Sequence, residues 1–238
     1  MKKLITLTGD SGCGKTHLMK LLLNLCSEDI AIIKKYSDRD LRPGEKNAIE
    51  IKPGCPTEEV KNMDYTYIGK NDKVYGFQKK DIETAFKQGK SPIVIVDDEN
   101  LLIKLCEEYQ GRICPVYIQR DVTELDFIEE LRKDGRTEKQ IRERIDSRHK
   151  NQALWRKRAN LFGYRYIING PFLSNENLIG WFLQIAEENN IDITKIERES
   201  NVKGIINYFR TLWKGRPAIL NSDKGCEPIL YGSSEEER

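Results

Sequence analysis

The chain has 238 residues, of which 38% are hydrophobic and 33% are charged. This length suits one α/β domain, alone or with an appendage, and the apolar content is enough for a packed core. The chain has 40 basic and 38 acidic residues, which give a formal net charge of +2. This near balance excludes the large basic excess of a general nucleic-acid or membrane-surface binder, so we expect neither kind of partner.

The cysteines and histidines argue against a zinc site and against secretion. The six cysteines include no C-x-x-C pair, and the histidines are His17 and His149. The apolar run near the start ends at Gly9 and is too short for a signal peptide, and no stretch has the length of a membrane span. We therefore expect a cytoplasmic protein with reduced thiols.

The first predicted elements are a strand, a glycine-rich loop and a helix. Residues 4–8 are apolar and β-branched and end at a glycine, which predicts a buried strand. Residues 15–26 carry leucines and a methionine that predict a packed helix, and residues 31–36 predict a second strand. Residues 37–77 predict an irregular excursion in which only 65–68 and 74–77 are β-like.

Strands and helices alternate along the rest of the chain, which predicts a parallel sheet covered on both faces. The strands are expected at 92–96, 113–119 and 164–168, and the helices at 79–88, 101–109, 122–133, 137–161 and 174–188. Residues 190–238 are polar and predict a small appendage with a frayed tail.

The loop after the first strand has the pattern G-x-x-x-x-G-K-[ST]. Its glycines let the backbone wrap around phosphates, and the helix N-terminus that follows favours anions. Lys15 would reach the β- and γ-phosphates of ATP, and Thr16 would bind Mg²⁺ through its hydroxyl. The predicted phosphate-binding loop consists of Gly9, Asp10, Ser11, Gly12, Cys13, Gly14, Lys15 and Thr16.

Two carboxylates follow the strand predicted at 92–96. Asp97 or Asp98 would organise the Mg²⁺ shell or the acceptor, because carboxylate oxygens are preferred ligands of this cation. We assign the metal to Thr16 and Asp97.

A second phosphate grip is predicted after residues 31–36. Arg39 and Arg42 lie three positions apart, next to the rigid Pro43-Gly44 pair. Arginine offers a planar fork for bidentate contacts with phosphate. Two phosphate grips in one domain indicate a kinase of a phosphorylated small molecule rather than a simple ATPase.

These motifs, in this order, make residues 1–185 resemble the guanylate kinase family. The glycine-rich loop is similar to its Walker A loop. The other similar segments are Ser37-Asp38-Arg39-Asp40-Leu41-Arg42-Pro43-Gly44-Glu45, the tyrosine motifs at 64–68 and 75–76, and the arginine-bearing lid at 131–144.

The resemblance implies a three-layer α/β P-loop kinase domain over residues 1–189, with a central parallel sheet of order 2-3-1-4-5. It implies an acceptor lobe near 37–77, a helical lid near 130–150, and transfer of the γ-phosphate of Mg-ATP to (d)GMP or a related acceptor. Lys15, Arg132 and Arg144 would be catalytic. The acceptor would be bound by Ser37, Arg39, Arg42, Glu45, Tyr65, Tyr75 and Asp98.

The chain departs from the family at the acceptor site. Asp38 replaces a threonine beside Arg39, and Asp134 replaces a lid arginine. The segment between Tyr67 and Tyr75 is too short to carry the glutamate that reads guanine in the family. Because strong discrimination requires hydrogen bonds to the base, the acceptor stays open between a nucleoside monophosphate and a sugar phosphate.

Two other functions stay open on the sequence. A module of this fold can serve partner binding, although scaffolding members lose the glycines and the lysine that are intact here. A nucleotide-dependent switch or motor would not need the arginine clamp or the lid. For the kinase we expect a monomer or a homodimer.

Overall fold

The computed structural model describes residues 1–10, 12–40, 48–69, 72–120, 122–133, 135–169 and 175–191. The strands are β1 (Leu4–Gly9), β2 (Ile30–Ile32), β3 (Lys35–Ser37), β4 (Ile51–Lys52), β5 (Tyr65–Ile68), β6 (Val74–Phe77), β7 (Ser91–Ile95), β8 (Ile113–Arg120) and β9 (Arg165–Asn169). The helices are α1 (Lys15–Cys26), α2 (Thr57–Lys61), α3 (Lys79–Lys87), α4 (Glu99–Glu108), α5 (Glu124–Lys133), α6 (Glu138–Phe162) and α7 (Asn175–Glu188). None of the helices in these ranges is long and apolar enough to cross a membrane. The predicted appendage lies outside them from residue 192 onward.

Five strands form one parallel sheet in the order β2, β7, β1, β8, β9. Counted along the chain among themselves, these strands have the order 2-3-1-4-5, which confirms the predicted topology. β1 lies at the centre, with Thr6 opposite Val94 on one side and Pro115 on the other. All six residues of β1 are buried, as expected for a central parallel strand.

Successive side chains of the central strands enter two different cores. Ile93 and Ile95 of β7 pack in the core that α1 and α7 cover, whereas Val94 and Val96 pack in the core that α3 and α4 cover. Because neighbouring side chains of a strand point to opposite faces, helices cover the sheet on both sides. The predicted three-layer α/β sandwich is therefore confirmed.

A second sheet has the strand order β4, β3, β6, β5 and is antiparallel except for the β3–β4 pair. Together with α2 it forms a lobe whose own small core contains Cys55, Val60 and Val74. The sequence predicted only two β-like pieces here. β3 has three residues and β4 has two, which is too short for a recognisable alternation of apolar side chains.

The single strand predicted at 31–36 is two strands in different sheets. β2 pairs with β7, and the amide of Ile33 still donates to the carbonyl oxygen of Ile93 at 2.8 Å. The amide of Lys35 instead donates to the carbonyl oxygen of Glu50 at 2.9 Å, in the lobe. The sequence pattern does not reveal this change of sheet, because it indicates which residues are buried and not which strand they pair with.

Four predicted helices begin one or two residues away from the expected position. The helix predicted at 101–109 begins at Glu99, because the side chain of Asp98 accepts a hydrogen bond from the amide of Leu101 and caps α4. The helix predicted at 122–133 begins at Glu124. The helix predicted at 137–161 begins next to its capping residue Thr137, which forms a capping box with Gln140.

Asp38 fastens the lobe. Its carboxylate accepts hydrogen bonds from the hydroxyl of Thr57 and from the amide of Val74, each at 2.9 Å. Partial burial alone would raise the pKa of Asp38, but these hydrogen bonds outweigh it and lower the pKa below the usual aspartate value. The negative charge of Asp38, next to Arg39, is therefore engaged in hydrogen bonds within the lobe.

We expect Asp38→Asn to lower the free energy of unfolding at pH 7 by about 1 kcal/mol, the scale of a partly exposed, charge-assisted hydrogen bond. The folded-state pKa is lowered, so the contribution is present above the unfolded pKa of about 3.9 and disappears as the pH falls through the folded value. Urea unfolding at pH 7 and at pH 3 measures this difference, and Asp40→Asn, on an exposed neighbour, is the control. An equal loss at both pH values would contradict this role of the Asp38 charge.

Candidate functional site

The glycine-rich loop between β1 and α1 has backbone conformations that only glycine adopts easily. Gly9 has φ of 148°, and a Cβ atom there would lie 2.3 Å from the carbonyl oxygen of Ile118. Gly12 has φ of 87°, and a Cβ atom there would lie 3.2 Å from the ring of Phe127. The N-cap residue of α1 is Gly14, which has no side chain that could cap the helix N-terminus. The loop therefore presents bare backbone at a helix N-terminus, which is the arrangement that binds phosphate. Ser11 lies outside the described residues.

Lys15 lies along this loop. Its ammonium group donates to the carbonyl oxygens of Gly9 at 2.6 Å and Asp10 at 3.0 Å, and it lies 3.5 Å from Oδ1 of Asp97. Burial alone would lower the pKa of Lys15, but the negative charge of Asp97 opposes this effect, and the pKa lies above the usual lysine value. Burial raises the pKa of the Cys13 thiol, which stays neutral at pH 7. Lys15 is therefore a permanent cation at the predicted phosphate position.

Asp97 is fixed beside the loop by the pairing of β1 with β7. The amide of Val96 donates to the carbonyl oxygen of Leu7 at 3.0 Å, and the hydroxyl of Thr8 donates to the carbonyl oxygen of Val96 at 3.1 Å. The two carboxylate oxygens of Asp97 face two lysines: Oδ1 faces Lys15, and Oδ2 lies 3.2 Å from the ammonium group of Lys35. Burial alone would raise the pKa of Asp97, but Lys35 and then Lys15 lower it, so the carboxylate is ionised.

Lys35 is a candidate functional residue that the sequence interpretation missed. It belongs to β3 and is only 4% exposed, although lysine is almost never buried without a partner. Besides Asp97, its ammonium group contacts the hydroxyl of Tyr67 at 3.0 Å and lies 5.7 Å from the ring centroids of Tyr67 and Tyr75. These two rings stack with their centroids 5.2 Å apart. The available signal was a pair of lysines interrupting an apolar run at 34–35.

Glu50 is the second candidate that the sequence did not single out. It precedes β4, and its Oε1 accepts a hydrogen bond from the hydroxyl of Thr16 at 2.8 Å. The structure thus places Thr16 with Glu50, and Asp97 with the two lysines. Within the described ranges, no hydrogen bond joins Thr16 to Asp97, the two residues that the sequence assigned to the metal.

Ser37 and Arg39 form the described part of the predicted acceptor clamp. Both are buried, and the hydroxyl of Ser37 accepts a hydrogen bond from the amide of Arg39 at 3.2 Å. The guanidinium of Arg39 donates to the carbonyl oxygen of Asp40 at 2.9 Å. Ser37 therefore shapes the turn that orients Arg39. Arg42 and Glu45, the other predicted clamp residues, lie outside the described residues.

Tyr65 and Asp98, which the sequence assigned to the acceptor, both make contacts within the protein. Tyr65 is 1% exposed, and its hydroxyl contacts Glu108 at 2.8 Å and Tyr109 at 3.2 Å, which attaches the lobe to α4. The carboxylate of Asp98 is engaged as the cap of the same helix. Tyr75 differs, because its ring lies beside Lys35.

The lid predicted near 130–150 contains the end of α5 and the first half of α6. Arg132 forms an ion pair with Glu138 at 3.0 Å, which joins the end of α5 to the start of α6, and Arg144 is half-buried further along α6. The guanidinium of Arg148 lies 4.8 Å from the ring centroid of Phe127, the residue that packs against Gly12. α5 and α6 therefore border the phosphate-binding loop.

Comparison with known proteins gives a similarity of fold. No protein-family description and no curated protein sequence matches the chain. Among solved structures, the guanylate kinase from Anaplasma phagocytophilum is 17% identical with a TM-score of 0.54, and the match covers 87% of this chain and 94% of that chain. At this identity the likeness shows that the chain has a guanylate kinase-like fold.

Proposed function

We propose that the protein is an ATP-dependent kinase that transfers the γ-phosphate of Mg-ATP to a phosphorylated small molecule, (d)GMP or a related nucleoside monophosphate. The observation that carries the proposal is the pair of ammonium groups, one largely buried and one buried, on one carboxylate. Lys15 comes from the phosphate-binding loop, Lys35 comes from the lobe, and both face Asp97. An ATPase needs the first cation, whereas a cation from a separate lobe suits a second phosphate.

The donor side of the site fits ATP. Glycines at three positions of the loop leave its backbone uncovered, and Lys15 supplies a charge that does not titrate near neutral pH. Thr16 offers a hydroxyl oxygen at the second residue of α1, where Mg²⁺ would be held. When bound, Mg²⁺ would neutralise charge on the transferring phosphoryl group.

The acceptor side of the site would be formed by the lobe. Lys35 and Arg39 are two buried cations four residues apart on β3 and the turn that follows it. Phosphoryl transfer requires little covalent work from the protein and depends on positioning and positive charge. The stacked rings of Tyr67 and Tyr75 hold the ammonium group of Lys35 in place and exclude water from one side of it.

The acceptor is best identified directly. Purified protein with Mg-ATP would be offered each nucleoside monophosphate, each deoxy form and several sugar phosphates, and ADP release would be measured above the background without acceptor. Release that depends on (d)GMP or another nucleoside monophosphate supports the proposal. Release with sugar phosphates alone would shift the acceptor class, and no release above background would reject the kinase.

We expect Lys15→Ala to reduce acceptor-dependent ADP release by roughly 10²-fold or more, because it removes the cation at the phosphate-binding loop. The fold should be retained, since Lys15 takes no part in the apolar cores on the two faces of the sheet. Lys20→Ala, on an exposed position of α1, is the matched control. Unchanged turnover in Lys15→Ala, with a normal circular dichroism spectrum, would reject the assignment.

We expect Lys35→Met and Arg39→Ala each to raise the KM of the acceptor by roughly 10-fold or more and to change the KM of ATP much less. The loss of one charge-assisted hydrogen bond to phosphate weakens binding by about this factor. Lys52→Met is the control, because Lys52 lies on β4 of the same sheet and contacts the ring of Tyr36 instead. Equal effects on both KM values would contradict an acceptor role for the lobe cations.

A further inference from the structure

We infer that Glu50 is the carboxylate that binds the divalent cation at the phosphate-binding loop, and that Asp97 serves as the counter-ion of two lysines. This inference rests on the proposed function, because the cation accompanies ATP. It replaces one member of the metal pair that the sequence suggested, Thr16 and Asp97, with a residue from the lobe.

Hydrogen bonds hold both the backbone and the side chain of Glu50. Its carbonyl oxygen accepts the amide of Lys35 at 2.9 Å, which fixes its backbone against β3. Its Oε1 accepts the hydroxyl of Thr16 at 2.8 Å. The side chain therefore reaches from the lobe to the first turn of α1, next to the loop that would hold the phosphates.

One oxygen of this carboxylate lacks a partner. Oε2 of Glu50 is buried and has no hydrogen-bond partner in the described part of the chain. A buried, unpaired carboxylate oxygen is costly, and such atoms in native structures call for an ion or a water. A divalent cation between Thr16 and Glu50 would satisfy Oε2 and would use the oxygen donors that Mg²⁺ prefers.

Asp97 and Glu50 differ in the charges that surround their carboxylates. Both oxygens of Asp97 face ammonium groups, at 3.5 Å for Lys15 and 3.2 Å for Lys35. A divalent cation bound there would lie close to two positive charges, and that repulsion is strong in a partly buried site. Among the described residues, no ion pair compensates Glu50, so its negative charge is available to a metal.

The oxygen atoms of Thr16 and Glu50 suit a cation that takes most of its ligands from water and from substrate phosphates. In the ranges that the structure describes, no three His, Cys, Asp or Glu side chains cluster to form a protein cage. Mg²⁺ usually keeps several waters and binds through one or two protein groups together with substrate phosphates. Thr16 and Glu50 supply two such protein oxygens.

The test measures metal binding directly. The full chain, Glu50→Gln, Asp97→Asn and the control Glu58→Gln, on the same lobe, are each mixed with ATP, and Mn²⁺ binding is followed by electron paramagnetic resonance. ATP binding is also measured with EDTA by calorimetry. We expect Glu50→Gln to weaken Mn²⁺ binding by roughly 10-fold or more without weakening metal-free ATP binding, and Asp97→Asn to have a smaller effect on Mn²⁺.

Glu50→Asp keeps the charge but shortens the side chain, and an intermediate Mn²⁺ affinity is expected if the carboxylate contacts the cation. Circular dichroism and thermal unfolding of each variant separate this effect from loss of folding. If Glu50→Gln fails to fold, the graded loss in Glu50→Asp still decides the question.

Three results would overturn the inference. Unchanged Mn²⁺ affinity in Glu50→Gln with tighter metal-free ATP binding would make Glu50 a mimic of phosphate that occupies the loop. Unchanged affinities with a lower melting temperature would make it only a charge at the N-terminus of α1. A larger Mn²⁺ loss in Asp97→Asn would return the metal to Asp97.

Failure of the proposed function is distinguishable from failure of this inference. A wild-type protein that binds Mn-ATP through Glu50 but phosphorylates no acceptor rejects the kinase and keeps the metal assignment. A wild-type protein that does not bind Mn-ATP rejects both.

Discussion

The shared carboxylate of Asp97 is the interaction on which the candidate site depends. Two ammonium groups that are largely removed from water and lie near each other repel, and each is stabilised in its charged form by a counter-ion. Asp97 offers one oxygen to Lys15 and the other to Lys35, and this double contact lowers the pKa of its carboxyl group. Removing Asp97 would leave both cations facing each other, so the phosphate-binding loop and the lobe are electrostatically coupled through this one side chain.

The parallel sheet is what brings the partners of Asp97 together. Because neighbouring parallel strands end at the same edge, the loop after β1 and Asp97 after β7 lie side by side, and the Thr8–Val96 hydrogen bond fixes their separation. Lys35 arrives by another route: the chain leaves the parallel sheet after Ile33 and enters the lobe at β3. The site therefore lies where the two sheets meet.

The lobe is built to hold its polar residues in defined positions despite its small size. Asp38 fastens β3 to Thr57 and to β6, and Tyr65 attaches the lobe to α4 through Glu108. The rings of Tyr67 and Tyr75 then lie beside the ammonium group of Lys35. Preorganised cations cost little rearrangement when a phosphate binds, which is the main protein contribution to phosphoryl transfer.

The sequence by itself determined the glycine-rich turn between β1 and α1 and the parallel sheet covered by helices. These two features follow from local patterns, because a turn between a strand and a helix, and the alternation of strands and helices, can be recognised within short segments of the chain. The strand order 2-3-1-4-5 came from the order of the motifs and their resemblance to the guanylate kinase family. Only the tertiary structure decided that the strand predicted at 31–36 divides between two sheets, that Tyr65 packs against α4, and that Lys35 reaches Asp97 and Glu50 reaches Thr16. Thr16 and Glu50 are 34 positions apart, and Lys35 and Asp97 are 62 apart. Contacts over such separations depend on how the two sheets meet, and no local periodicity contains that information.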